Sequence, residues 1–157
     1  MLKAVHYRWF VANIDERQTA AQLFNHCWDL LEASPRTADQ DADLLGSAFT
    51  SRHLFQAVGG PAQWITGDWM IARAAGAVGY GDLAVAYALR AFEAAQAPDT
   101  EDWLVASAAE GVARAYGDAN DDTHRDEWVA RAQSLVSEIA DPENRDLIAS
   151  QLAEVAR

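Results

Sequence analysis

A chain of 157 residues, half of them apolar, can bury a sizeable core, and at that length one domain is the expectation. Its formal net charge of -12 opposes the phosphate backbone of nucleic acid and the anionic face of membranes, which both need clustered Lys and Arg, so neither partner is expected. A single cysteine, Cys27, excludes an internal disulfide and a multi-cysteine metal site; with no signal-peptide core and no apolar run near the roughly 20 residues of a bilayer span, the expected compartment is the cytoplasm.

Residues 1–12, with His6, Tyr7, Trp9 and Phe10, read as a short aromatic arm, an extended segment or a brief helix, with too few residues to show a period. A first helix is predicted from about Asp15 to Ala33, because Ala20, Leu23, Phe24, Cys27, Leu30 and Leu31 recur at the spacing of three and four that makes one apolar stripe. Ser34-Pro35 stops it. Thr37 with Gln40 has the form of a capping box for a second helix, with Ala42, Leu45, Phe49 and Arg52 expected on one face. Gly59-Gly60-Pro61 separates it from a third helix, Pro61 suiting a first helical position where the missing N–H is not needed.

The third helix carries DWMIARAAGAV from Asp68 to Val78, matched thirty-four residues later by DWLVASAAEGV from Asp102 to Val112. A segment recurring at a period of twenty to fifty residues is the mark of stacked helix pairs, each burying its face on the next. A fourth helix from Asp82 to near Pro98 has Leu83, Ala84, Tyr87, Ala88, Ala91, Phe92 and Ala95 as an apolar ribbon, and a fifth carries the second copy. Tyr116-Gly117-Asp118 echoes Tyr80-Gly81-Asp82 at thirty-six, and Arg131-Ala132 echoes Arg90-Ala91 at forty-one, so the second unit reads as the first plus a loop insertion, placed in an acidic loop from Asp118 to Asp126. A sixth helix follows with Val129, Ala132, Leu135, Val136 and Ile139 inward, and Asp141-Pro142 opens a last helix with Leu147, Ile148, Leu152 and Val155 inward. The fold class is all-α, six to seven helices in antiparallel pairs stacked as a short solenoid. Its parts are an arm at 1–12, a helix pair at 13–60, repeats at 61–98 and 99–140, and a capping helix at 141–157.

The unit from Ile65 to Pro98 resembles a tetratricopeptide repeat, with Ala72, Ala84 and Ala91 at the twelve-and-seven spacing of that motif's small residues, although Ala75 stands where an aromatic is usual and Trp69 comes one residue late. More broadly the chain is similar to an uncharacterised bacterial family of helical proteins, through Ser51-Arg52, Val58-Gly59 with Pro61, Gly67-Asp68-Trp69, and Ile71 with Arg73. That resemblance implies the fold and no activity. Phe49 and Leu54 stand where relatives carry histidine, so a histidine-dependent role is not implied here.

No catalytic residue is assigned. His26 and Cys27 are adjacent, but neighbours on a helix point about 100° apart, and Cys27 lies on the apolar stripe, so it reads as a structural thiol. Asp118, Asn120 and Asp122 match the start of a calcium loop, yet Thr123 and Val129 occupy the glycine and bidentate-glutamate places, and no metal or cofactor is expected. The six tryptophans, Trp9, Trp28, Trp64, Trp69, Trp103 and Trp128, read first as core. The functional reading is that Trp64 or Trp69, with Arg52 and Arg73, lines a concave groove able to hold a peptide carboxylate or small anion. The expected function is a non-catalytic module binding a protein or peptide, the alternative a small-anion binding protein or enzyme with a pocket around Arg52, Trp69 and Arg73. Residues 99–127 hold nine acids against two arginines, which favours a basic guest on that side. Homodimer and monomer both stay open.

Overall fold

The computed structural model describes residues 15–156, so the aromatic arm read at residues 1–12 and the terminal Arg157 lie outside the described residues. Seven helices follow one another: α1 Glu16–Glu32, α2 Ala38–Val58, α3 Pro61–Val78, α4 Gly81–Ala94, α5 Asp102–Asp118, α6 Asp122–Glu138 and α7 Pro142–Val155. No strand occurs among the described residues, and no helix there is long and apolar enough to cross a membrane.

Local chemistry sets the helix ends. The side chains of Asp15, Asp121 and Asp141 accept from the backbone N–H groups of Gln18, His124 and Asn144, each satisfying a donor that the first turn leaves open. Thr37 and Gln40 form the reciprocal capping box, and Gln63 Oε1 accepts from Gly60 N at 2.9 Å ahead of Pro61. At the far end of α3, Gly79 turns left-handed at φ 95°, a conformation free of Cβ strain only in glycine.

Two sequence expectations are corrected here. The acidic stretch 118–126 is not a long loop: α5 runs to Asp118, Asn120 turns left-handed at φ 60°, and α6 starts at Asp122, because acids in a first turn meet the positive end of the helix dipole. The face of α2 is also different, with Leu44, Ser47, Ala48 and Ser51 buried and Ala42 and Phe49 exposed. Two serines disguise that stripe; they are tolerated inside because Ser51 Oγ donates to Ala20 O at 2.8 Å and Ser47 Oγ to Asp43 Oδ1 at 3.2 Å.

The register of the repeat is likewise set by the ends. Pro61 and Asp102 open α3 and α5 forty-one residues apart, and the left-handed Gly79 and Asn120 close them at the same interval. The closing bonds match too, Tyr80 N donating to Ala75 O at 2.8 Å and Asp121 N to Tyr116 O at 2.9 Å. The match at thirty-four residues is therefore not a structural equivalence, since Asp68 sits in mid-helix and Asp102 at the first position of α5. In the structural register Ile71-Ala72-Arg73-Ala74 answers to Val112-Ala113-Arg114-Ala115, and the forty-one-residue Arg90-Ala91 echo holds without any inserted loop.

Successive helices pack side by side, and α1, α3, α5 and α7 also pack on one another, whereas the backbones of α2, α4 and α6 stay apart. Small side chains explain the first layer: Ala72, Ala75, Ala108, Ala109 and Ala115 are buried there, so axes can approach closely. Aromatic pairs span the wider layer, Phe49 on Tyr87 with centroids 5.5 Å apart and Phe92 on Trp128 at 4.8 Å, with the Arg131 guanidinium 4.4 Å from the Phe92 ring. The stack thus curves, with α1, α3, α5 and α7 on its inner side. Ala84 and Ala91 of α4 are fully buried against this inner layer. Ala91→Leu should overpack it and lower stability by about 1 to 3 kcal/mol in urea denaturation. A midpoint equal to wild type would show that α4 does not pack this tightly.

Candidate functional site

The four residues singled out in the sequence separate into two places. Arg52 belongs to a fastening between α2, α3 and α4. Asp68, 2% exposed, accepts from Arg52 Nε on Oδ1 at 2.8 Å and forms an ion pair through Oδ2 with Arg90 Nε at 2.9 Å. Both carboxylate oxygens are met, as a buried charge requires. Trp64 is also structural: its indole Nε1 donates at 2.9 Å to Phe55 O, which also accepts from Gly59 N at 2.8 Å, and so ties the start of α3 to the end of α2.

Trp69 and Arg73 are together, on the face of α3 that looks toward α1 and α5. The Trp28 and Trp69 rings lie 5.7 Å apart, and the Arg73 guanidinium carbon stands 5.1 Å from the first centroid and 5.4 Å from the second. This is a cation held by two indole faces. The Cδ1–Nε1 edge of the Trp69 indole approaches Gly111 of α5, where an added Cβ would come within 2.6 Å of Cδ1, so glycine is required by close approach. Neither Trp69 Nε1 nor Arg73 Nη1 has a hydrogen-bond partner among the described residues, although both are buried.

The structure adds residues that the sequence reading missed. Arg114, the counterpart of Arg73 in the forty-one-residue register, reaches Glu110 Oε1 through Nη2 at 2.6 Å and through Nε at 2.8 Å, and Gln151 O of α7 at 3.1 Å. Glu110 is fully buried, and its other oxygen, Oε2, has no partner among the described residues. The two equivalent arginines differ in what lies four residues before them, a tryptophan for Arg73 and a carboxylate for Arg114. Burial, and next the charge of Arg114, pull the Arg73 pKa down, while Glu110, Glu154 and Asp118 hold it up. The Asp118 carboxyl is pushed up by desolvation against Gly76 even though the residue as a whole is exposed, with Arg114 and Arg73 opposing that shift. Repetition of Ala-Arg-Ala at 72–74 and 113–115 was the signal that could have found Arg114; nothing in the sequence marked Glu110 as buried.

Beside this charged cluster the inner layer opens into a groove of about 280 Å³. Trp28 of α1, Thr66 and Trp69 of α3, Trp103 and Ser107 of α5, and Leu147 of α7 line it. The sequence reading had Leu147 inward; instead it is 56% exposed on the groove wall, because Ile148 and Leu152 take the buried stripe of α7. Trp28 and Trp103 are half-buried there. Four helices contribute, so no window of sequence contains the groove.

Cys27 is fully buried with Sγ 3.8 Å from Leu44 O, and burial, with the charge of Asp43 adding to it, pushes its pKa up to about 11. At neutral pH it is a thiol, which is not the nucleophilic form. Compared with known proteins, the chain matches no family model, no curated protein and no solved structure.

Proposed function

We propose that the chain is a cytoplasmic, non-catalytic module that binds a segment of protein or peptide along the inner face of its helix stack. One observation carries this reading: a groove built by α1, α3, α5 and α7 leaves Leu147 and two indoles in contact with water. Large apolar side chains gathered in a concave surface are what an anchor residue of a guest covers. The tetratricopeptide-like stacking of the helix pairs suits an extended or helical guest. On α7 the exposed Glu143 and Asp146 flank Asn144 and Leu147 of the groove lining, which favours a guest with basic residues beside its apolar anchors.

The alternative, an anion pocket or enzyme site around Arg52, Trp69 and Arg73, has less support. Arg52 is engaged with Asp68, and Arg73 shares its surroundings with Glu110, Asp118 and Glu154, so the site does not carry a surplus of positive charge.

A library of basic-aromatic and acidic-aromatic peptides, presented to the full chain, tests the proposal. Basic-aromatic members should bind, and Leu147→Asp should weaken them at least about tenfold, since it removes an apolar contact of about 1.5 to 3 kcal/mol and adds a charge. Circular dichroism should be unchanged, because Leu147 is exposed. Binding indifferent to Leu147→Asp, or a preference for acidic peptides, would count against the groove; substrate turnover dependent on one side chain would overturn the non-catalytic reading.

A further inference from the structure

A second cavity adjoins the groove. Short connections make successive helices antiparallel, so α3 and α5 run parallel with their first turns at one end of the stack. There Pro61 and Ala62 of α3, Ala97 and Thr100 of the connection from α4, and Glu101 before α5 enclose about 220 Å³. Ile65 and Leu104, 2% and 5% exposed, line both this cavity and the groove, so the two share a floor. Glu101 on one lining accepts a hydrogen bond from Trp103 Nε1 on the other, which joins their walls.

Their separation follows from the helix they share. Ala62 lines only the second cavity and Thr66 only the groove, and these residues are one turn apart, about 6 Å at roughly 1.5 Å per residue. Two side chains of one guest meet that spacing when they stand two residues apart in an extended chain or four apart in a helix. The groove, with Trp28, Trp69, Trp103 and Leu147 on its walls, suits the larger of two apolar anchors. The smaller cavity, beside Pro61 and Ala62, suits a leucine or valine.

Charge selects what stands next to the second anchor. No Lys, Arg or His lines either cavity, and Arg145, beside Asn144 of the groove lining, is engaged with Ile139 O at 3.3 Å. Asp99 and Glu101 are exposed on the second cavity, and neither has an ion-pair partner among the described residues. The first turn of α5 does not need them, because Asp102 Oδ1 already accepts from Trp103 N at 2.6 Å. Their charge therefore faces outward, to whatever lies over Ala62.

We propose that the groove and this second cavity together read a protein segment with two apolar anchors about 6 Å apart, the larger in the groove and the smaller over Ala62, and with a lysine or arginine beside the smaller one, facing Asp99. This rests on the reading of the groove as a peptide-binding surface. It adds a second subsite, which sets the anchor spacing and the place of the charge.

Fluorescein-labelled peptides titrated with the full chain and read by anisotropy test it. One set carries a single phenylalanine in a serine-glycine background. The others add a leucine two, four or seven positions away, each with and without an arginine beside the leucine. Leucine at two positions for an extended guest, or at four for a helical one, should tighten binding at least about tenfold, for the burial of one apolar side chain, and at seven it should not. The arginine should add about two- to fivefold, as one exposed ion pair does. Ala62→Phe fills the second cavity from an exposed position, so it should abolish the leucine gain and leave the single-phenylalanine set unchanged. Asp99→Asn should remove the arginine gain alone. Circular dichroism should be unchanged in both variants, since both side chains are exposed.

If Leu147→Asp weakens the single-anchor peptides while leucine brings no gain at two or four positions, or the gain survives Ala62→Phe, the second subsite is refuted and the proposed function stands. If binding survives Leu147→Asp and is lost in Ala62→Phe, the groove reading is the one that fails. Absence of binding by every set would remove both.

Discussion

Asp68→Ala should cost about 3 to 5 kcal/mol in urea denaturation, the largest single loss expected among the polar residues of this protein. The cost arises less from the bonds removed than from what remains. Arg52 has a side chain only 12% exposed and would be left inside without a counter-charge, while Arg90, 56% exposed, can turn to water. Arg90→Ala should therefore be mild, about 1 kcal/mol or less, as for other exposed ion pairs. Arg52→Ala should fall between the two, since Asp68 keeps Arg90 on one oxygen. If Asp68→Ala and Arg90→Ala proved equally mild, the triad would not be what fastens α2 and α4 to α3.

The second large effect concerns Glu110, where single and paired substitutions should move stability in opposite directions. Glu110→Ala removes the buried partner of Arg114 and opens a void in α5; a loss of about 3 kcal/mol is expected, at the lower end for broken buried pairs because Arg114 keeps Gln151 O and lies 3.6 Å from Glu154. Glu110→Leu together with Arg114→Met removes both charges and keeps the volume filled. That pair should be near neutral or more stable than wild type by about 1 to 4 kcal/mol, because Glu110 Oε2 is buried with no partner among the described residues and its desolvation is uncompensated. A double variant as damaged as the single one would mean that the carboxylate is better satisfied than its contacts indicate. A stabilised double variant would make Glu110 a residue retained for something other than stability, and its place beside Arg73 and the groove would be the first to test.

Several features were legible in the chain because they are written in neighbouring residues. The all-α class followed from apolar spacing, as in Ala20, Cys27 and Leu30 of α1 or Ala84, Ala88, Ala91 and Ala95 in and just after α4. Thr37 with Gln40, Asp141-Pro142 and Gly60-Pro61 marked helix starts, since a cap is a contact between residues three apart. Cys27 was placed inside for the same reason that fixed the class, its position on an apolar stripe. Where a polar residue stood on a buried face the pattern failed: Ser47 and Ser51 hid the true stripe of α2, and their partners, Asp43 and Ala20 O, come respectively from one turn back and from another helix. The repeat was seen but its main match was set at thirty-four residues, because alanine-rich helices match one another at several offsets, and the caps at Gly79 and Asn120 decide for forty-one.

By itself the sequence determined the helices, their order and their alternation, all of which depend on local periodicity and on which backbone groups a nearby side chain can satisfy. Tertiary structure alone decided which charges are inside and which apolar residues are not. Asp68 and Glu110 are buried because other helices close over them, and Arg52 parts from Arg73 because residues 68 and 73 face different neighbours of α3. Leu147 stays in water because four parallel helices curve around a space that none of them encodes alone. Burial is a property of what packs on a residue from far along the chain, and a periodic stripe records only that something does.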